Sequence, residues 1–97
     1  MELEELRKKI DSIDDSLVEL FCERMRVSAD IGRLKALGGL EVRDLERERA
    51  KLADVAGKAD ESLREYIGAL YSRILDLSCA YQEKLKQAAA ATRTQQR

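Results

Sequence analysis

Apolar side chains recur at Leu3, Leu6, Ile10, Ile13, Leu17, Leu20, Val27, Ile31 and Leu34. These three- and four-residue steps keep one face of a helix apolar, and they predict a single long helix from about residue 2 to 37. Acidic residues crowd its start, Arg33 and Lys35 lie near its end, and Gly38-Gly39 follows, as the helix dipole and C-cap chemistry favour. A second, short helix is predicted from near Asp44, whose carboxylate can cap it, to near Gly57, with Leu45, Leu52 and Val55 as its apolar side. A third, medium-long helix is predicted to open at Asp60 to Ser62, where Ser62-x-x-Glu65 has capping-box form. It continues through Leu63, Ile67, Leu70, Ile74, Leu77, Tyr81 and Leu85. Beyond that the apolar rhythm stops, so residues 91–97 are expected to form a disordered tail on one domain spanning residues 1–90. No segment carries a strand signal, and the chain has no proline. The expected class is therefore all-α, with three helices per chain.

The length of the first helix bears on quaternary structure. About 36 residues at 1.5 Å each span roughly 54 Å, whereas a compact domain of this size is only ~30 Å across. Two shorter helices cannot cover such a rod, so its apolar seam is expected to be completed by a second copy of the chain in an intertwined homodimer.

Composition narrows the chemistry. Lys plus Arg total 18 against 19 Asp plus Glu, so there is no general attraction to nucleic acid or to an anionic membrane, and any anion site must be local. The chain has no histidine, which removes the commonest metal ligand and the usual general base near neutral pH. Cys22 and Cys79 form no CxxC pair and are expected to be reduced core thiols. The acidic start Met1-Glu2-Leu3-Glu4-Glu5 differs from a basic signal-peptide start, and no apolar run approaches membrane-spanning length. A cytoplasmic protein without a membrane partner is the expectation.

The seam breaks at one place. Arg24 occupies a core-facing heptad position between Leu20 and Val27, where a guanidinium is costly unless paired and cannot neutralise itself. It is either a register-setting residue or one wall of an anion site. Ser28, Ile31 and Lys35 continue the same stripe, so two fixed cations face one side. Arg7 lies about five turns earlier and rotated roughly 100° from Arg24, so within one helix the two cannot meet on a small ligand. In an antiparallel pairing of two copies, Arg7 of one chain can approach Arg24 of the other. Asp44 and Glu48 share a face one turn apart with Arg47 beside them, and Ser78 and Gln82, also one turn apart, border the apolar stripe of the third helix. Each of these could equally be a solvated face or a stripe boundary.

Several local strings occur in order: Leu6-Arg7-Lys8-Lys9-Ile10-Asp11-Ser12-Ile13-Asp14, Glu23-Arg24, Gly32-Arg33-Leu34-Lys35, Val42-Arg43-Asp44-Leu45-Glu46-Arg47-Glu48, and Ser78 with Gln82. With a helix break between Lys35 and Asp44, the set resembles the all-helical chorismate mutase family over roughly residues 3 to 85. The resemblance implies a three-helix protomer whose long first helices cross in a homodimer. It also implies rearrangement of chorismate to prephenate, in aromatic amino-acid biosynthesis, with no metal, cofactor or covalent step. Arg24, and Arg7 from the partner chain, look like the family's carboxylate-binding arginines. Lys35 and Gln82 look like the pair that hydrogen-bonds the ether oxygen of the breaking bond. Glu48 with Asp44 matches the positions that engage the ring hydroxyl, and Arg47 and Ser78 match supporting polar contacts. An intramolecular rearrangement needs neither nucleophile nor proton transfer, so a histidine-free inventory suits it. The alternatives are an isochorismate pyruvate lyase of the same fold and a non-catalytic helical dimerisation module.

Overall fold

The computed structural model describes residues 2–95, which form three α-helices and no strand. Helix α1 spans Leu3–Leu37, α2 spans Leu45–Lys58, and α3 spans Arg64–Gln95. A single 3-10 turn, Glu61–Leu63, leads into α3.

Glycine ends α1 as expected. The N–H of Leu40 bonds the Lys35 carbonyl at 2.8 Å and that of Gly39 bonds the Ala36 carbonyl at 3.2 Å, the paired bonds of a Schellman stop. Gly39 takes the left-handed backbone such a stop requires, with φ of 69°. The chain therefore turns immediately after Leu37, and residues 40–44 double back towards the helix they have left. Asp44 then caps α2, its Oδ1 accepting the Arg47 N–H at 3.0 Å.

Two details of the third helix differ from expectation. Ser62 lies inside the 3-10 turn and makes no capping bond, because the chain enters α3 through that turn and Arg64 becomes its first residue. Helix α3 also runs on to Gln95, past the end of the apolar rhythm. Ala88 to Ala91 are of the residue type with the highest helix propensity and carry the backbone on through an exposed stretch. Gln96 and Arg97, the rest of the expected tail, lie outside the described residues.

Helix α3 packs against both α1 and α2 and is their common neighbour. The result is elongated, 64 × 29 × 15 Å, with a radius of gyration of 17.6 Å. A compact chain of this length would have about 12.5 Å. The interior is correspondingly thin. The buried apolar residues are Val42 and Leu75, while Ser28, Ser78 and Gln82 are the buried polar ones. The apolar seam of α1 stays in the open, with Leu3, Ile10, Ile13, Leu17 and Leu20 each more than half exposed. Cys22 shares that exposed stretch and so is not a core thiol, and Cys79 is half-buried; both are free. No helix among the described residues is long and apolar enough to cross a membrane.

Candidate functional site

The chain turns its polar lines inward. On α1 the buried position is Ser28, one turn beyond Arg24, and on α3 the buried line is Leu75, Ser78 and Gln82. Ser78 and Gln82 therefore do not border the packed stripe of α3. They are the packed stripe, while Leu63 and Leu70 of the apolar series are half exposed.

Hydrogen bonds join these lines across the helix pair. Arg24 Nη1 donates to Ser78 Oγ at 2.7 Å, and Gln82 Nε2 donates to Ser28 Oγ at 2.8 Å. The second bond requires close approach, and Gly32 permits it. A Cβ at residue 32 would lie 2.9 Å from Gln82 Cγ and 3.2 Å from its Cβ. Gly32 carries neither charge nor apolar surface and so does not stand out in the sequence as a site residue. The signal was a glycine inside a long helix, where its propensity cost asks for a packing reason. Gln82 Oε1 is buried and accepts no bond, an open demand of the kind that collects at functional sites.

Lys35 reaches the doubled-back loop, its Nζ donating to the Val42 carbonyl at 2.8 Å. An ammonium has three donors, so two remain. Across the gap, Asp44, Arg47 and Glu48 come from the first turn of α2. The space between is a cavity of about 660 Å³ whose lining includes Arg24, Ser28, Lys35, Asp44, Arg47, Glu48, Ser78 and Gln82. That volume suits a small ligand.

Seven of the eight residues singled out from the sequence thus line one cavity. Arg7 does not. It lies about 26 Å from Arg24 along the helix axis, exposed and ion-paired to Glu4 at 3.1 Å.

Charge is uneven around the cavity. Lys51 and Lys58 on its rim pair with Asp54 at 3.6 and 3.0 Å, and the Lys58 hydrogen bond holds the Asp54 carboxyl below its usual range. Glu48 is paired with Arg43 at 2.7 Å, and one Asp44 oxygen is engaged by the helix cap. Arg24, Lys35 and Arg47, in contrast, have no ion-pair partner among the described residues. Carboxylates in the wall are answered and three cations are not, so the cavity attracts anions, and two negative groups better than one. Burial pushes the Cys79 thiol up, with the Glu48 charge adding to it, so this wall residue stays neutral and poorly nucleophilic. No cluster of three or more potential metal ligands occurs among the described residues.

Comparisons with known proteins agree in kind. A family model described as chorismate mutase type II matches residues 6–83. The chain is 36% identical over 84 residues to the bifunctional chorismate mutase/prephenate dehydratase of Escherichia coli (strain K12), covering 84% of this chain and 22% of that protein. It is 30% identical over 90 residues to the protein of the same description from Aquifex aeolicus (strain VF5), covering 88% of this chain and 25% of that one. A chorismate mutase of Methanocaldococcus jannaschii is 40% identical over 47 residues, 48% of either chain. The chain thus spans only about a quarter or less of the bifunctional relatives. No solved structure gives a significant match.

Proposed function

The chain belongs to the chorismate mutase type II family, and from that premise we propose that it converts chorismate to prephenate in a cavity completed by a second copy of itself. The observation that carries this reading is the convergence of three unpaired cations, Arg24, Lys35 and Arg47, with Gln82 on one cavity. Chorismate is a dianion, and its rearrangement breaks an ether C–O bond while a C–C bond forms within the same molecule. Two tasks fall to the protein. It must hold the enolpyruvyl side chain over the ring, and it must meet the negative charge that grows on the ether oxygen.

Arg24, held by Ser78, and Arg7 of the second copy take the carboxylates, with Arg47 as a supporting contact at the wall. Lys35, with two donors left after its bond to Val42, and Gln82, with one Nε2 hydrogen left after its bond to Ser28, take the ether oxygen. Glu48, with Asp44 beside it, accepts from the ring hydroxyl. A rate enhancement of around a millionfold corresponds to about 8 kcal/mol. One preorganised donor to a developing oxyanion contributes about 3 to 4 kcal/mol, so two such donors with conformer restriction account for it.

The dimer belongs to the same proposal. Leu6, Ile10, Ile13, Leu17 and Leu20 line an uncovered α1 seam, and each is worth roughly 1.5–3 kcal/mol when buried. An antiparallel crossing of two α1 helices buries that seam and carries Arg7 of one chain towards Arg24 of the other, giving two sites per dimer.

The direct test is a spectrophotometric assay with chorismate and, in parallel, isochorismate. Loss of chorismate with formation of prephenate is expected. Pyruvate release from isochorismate alone would point to the lyase, and no turnover of either to a module without catalysis.

The Gly32 contact adds a second test. Gly32→Ala gains up to about 1 kcal/mol of helix propensity and loses about 1–3 kcal/mol to overpacking, so a net loss of up to about 2 kcal/mol lowers the thermal midpoint. The same Cβ displaces Gln82, so kcat is expected to fall on the order of tenfold. An unchanged kcat would remove Gln82 from the reacting centre.

A further inference from the structure

Arg43 sits in the α1–α2 connection, one residue before the cap of α2, and has no part in the ligand contacts above. Its Nε donates to Glu48 Oε2 at 2.9 Å and its Nη2 to Glu48 Oε1 at 2.7 Å, while Nη2 also reaches Asp76 Oδ1 at 2.6 Å. One planar fork therefore ties the loop to α2 and to α3. The three side chains are not equally exposed. Arg43 is 46% and Asp76 50% exposed, whereas Glu48 is 15% and lines the cavity. The arrangement points inward, with Arg43 gripping the inner Glu48 and itself held from outside by Asp76. Its hydrogen bonds to Glu48 and then to Asp76 hold the Arg43 pKa above its ordinary value, so the guanidinium stays charged at any pH the protein meets.

We infer that Arg43 is a positioning residue that, anchored to α3 by Asp76, fixes the Glu48 carboxylate against the cavity wall for the ring hydroxyl of the substrate. This rests on the mutase reading and deepens it. A carboxylate offers about four lone-pair sites, and the bidentate fork takes two. The remaining sites are held in one orientation on a side chain that would otherwise sample several rotamers. The fork also offsets the Glu48 charge, which would otherwise repel a dianion entering beside it. Both effects act on bound substrate and transition state alike, so they belong in KM more than in kcat. A partly exposed ion pair contributes little to stability, so loss of Arg43 leaves the chain folded.

The experiment is a double-mutant cycle on the full chain, with circular dichroism as the check on folding. Arg43→Ala is expected to raise KM for chorismate about tenfold and to change kcat by less than about threefold. Arg43→Lys keeps the charge but not the fork, and is expected to retain most of that loss. In a Glu48→Gln background, Arg43→Ala is expected to alter kcat/KM by no more than about twofold, because the group it positions is already gone. An unchanged KM in Arg43→Ala, or an equal loss in both backgrounds, would overturn the role assigned to Arg43. Absence of chorismate turnover by the wild type is a different result and would overturn the mutase reading itself.

Discussion

Lys35→Ala is expected to lower kcat by about a hundredfold or more, with the chain still folded and its oligomeric state unchanged. Lys35 is half-buried at the end of α1, and its bond to the Val42 carbonyl fixes the ammonium at the cavity wall. Such a donor costs no reorganisation as charge develops on the ether oxygen, which is why its removal acts on kcat. Alanine also leaves the Val42 carbonyl without its donor, so a small loss of thermal stability accompanies the kinetic one. Lys35→Arg separates the two effects, since it keeps a cation and a donor for Val42 but moves the charge. It is expected to restore stability and only part of kcat. Stopped-flow or steady-state traces with excess chorismate, beside a thermal melt, measure both. A kcat within about twofold of wild type in Lys35→Ala would remove this residue from the mechanism.

Arg7→Ala and Arg24→Ala are each expected to lose about a hundredfold or more in kcat/KM, and a mixture of the two is expected to regain activity. In the proposed dimer each site takes Arg7 from one chain and Arg24 from the other, so a heterodimer has one site with both changes and one with neither. If equal amounts exchange freely, half the dimers are mixed, and about a quarter of all sites become intact. Partial denaturation and refolding of differently tagged chains, with the heterodimer isolated, gives the measurement. Isolated heterodimer no more active than either parent would mean that Arg7 serves no site across the interface, and would leave its exposed pairing with Glu4 as its only role.

Local structure was almost fully legible in the chain. The three helices, the glycine stop after Lys35 and the Asp44 cap all follow from interactions within a few residues, where spacing is geometry. The capping box at Ser62 failed because the chain enters α3 through a 3-10 turn that contains Ser62. The helical extension to Gln95 was missed because apolar rhythm tracks packing, and an alanine run forms helix without any. In the site, Arg24 and Lys35 were legible as charges inside an apolar seam. Gly32 was not, because what it permits is contact with a residue 50 positions away.

By itself, then, the sequence determined the helices, their ends, and which side chains were chemically out of place. Tertiary structure alone decided which face of each helix is inside. Hydrophobic patterning would bury the leucines of α1 and the apolar series of α3, yet the packed line is Ser28 with Leu75, Ser78 and Gln82, and the α1 leucines stand exposed. The reason is physical. A helical period shows that a stripe will be covered but is silent on what covers it, and a single chain of this shape has no element left to cover 35 residues of α1. Only the placement of α3 between its neighbours turns the polar lines toward each other and makes a cavity between them.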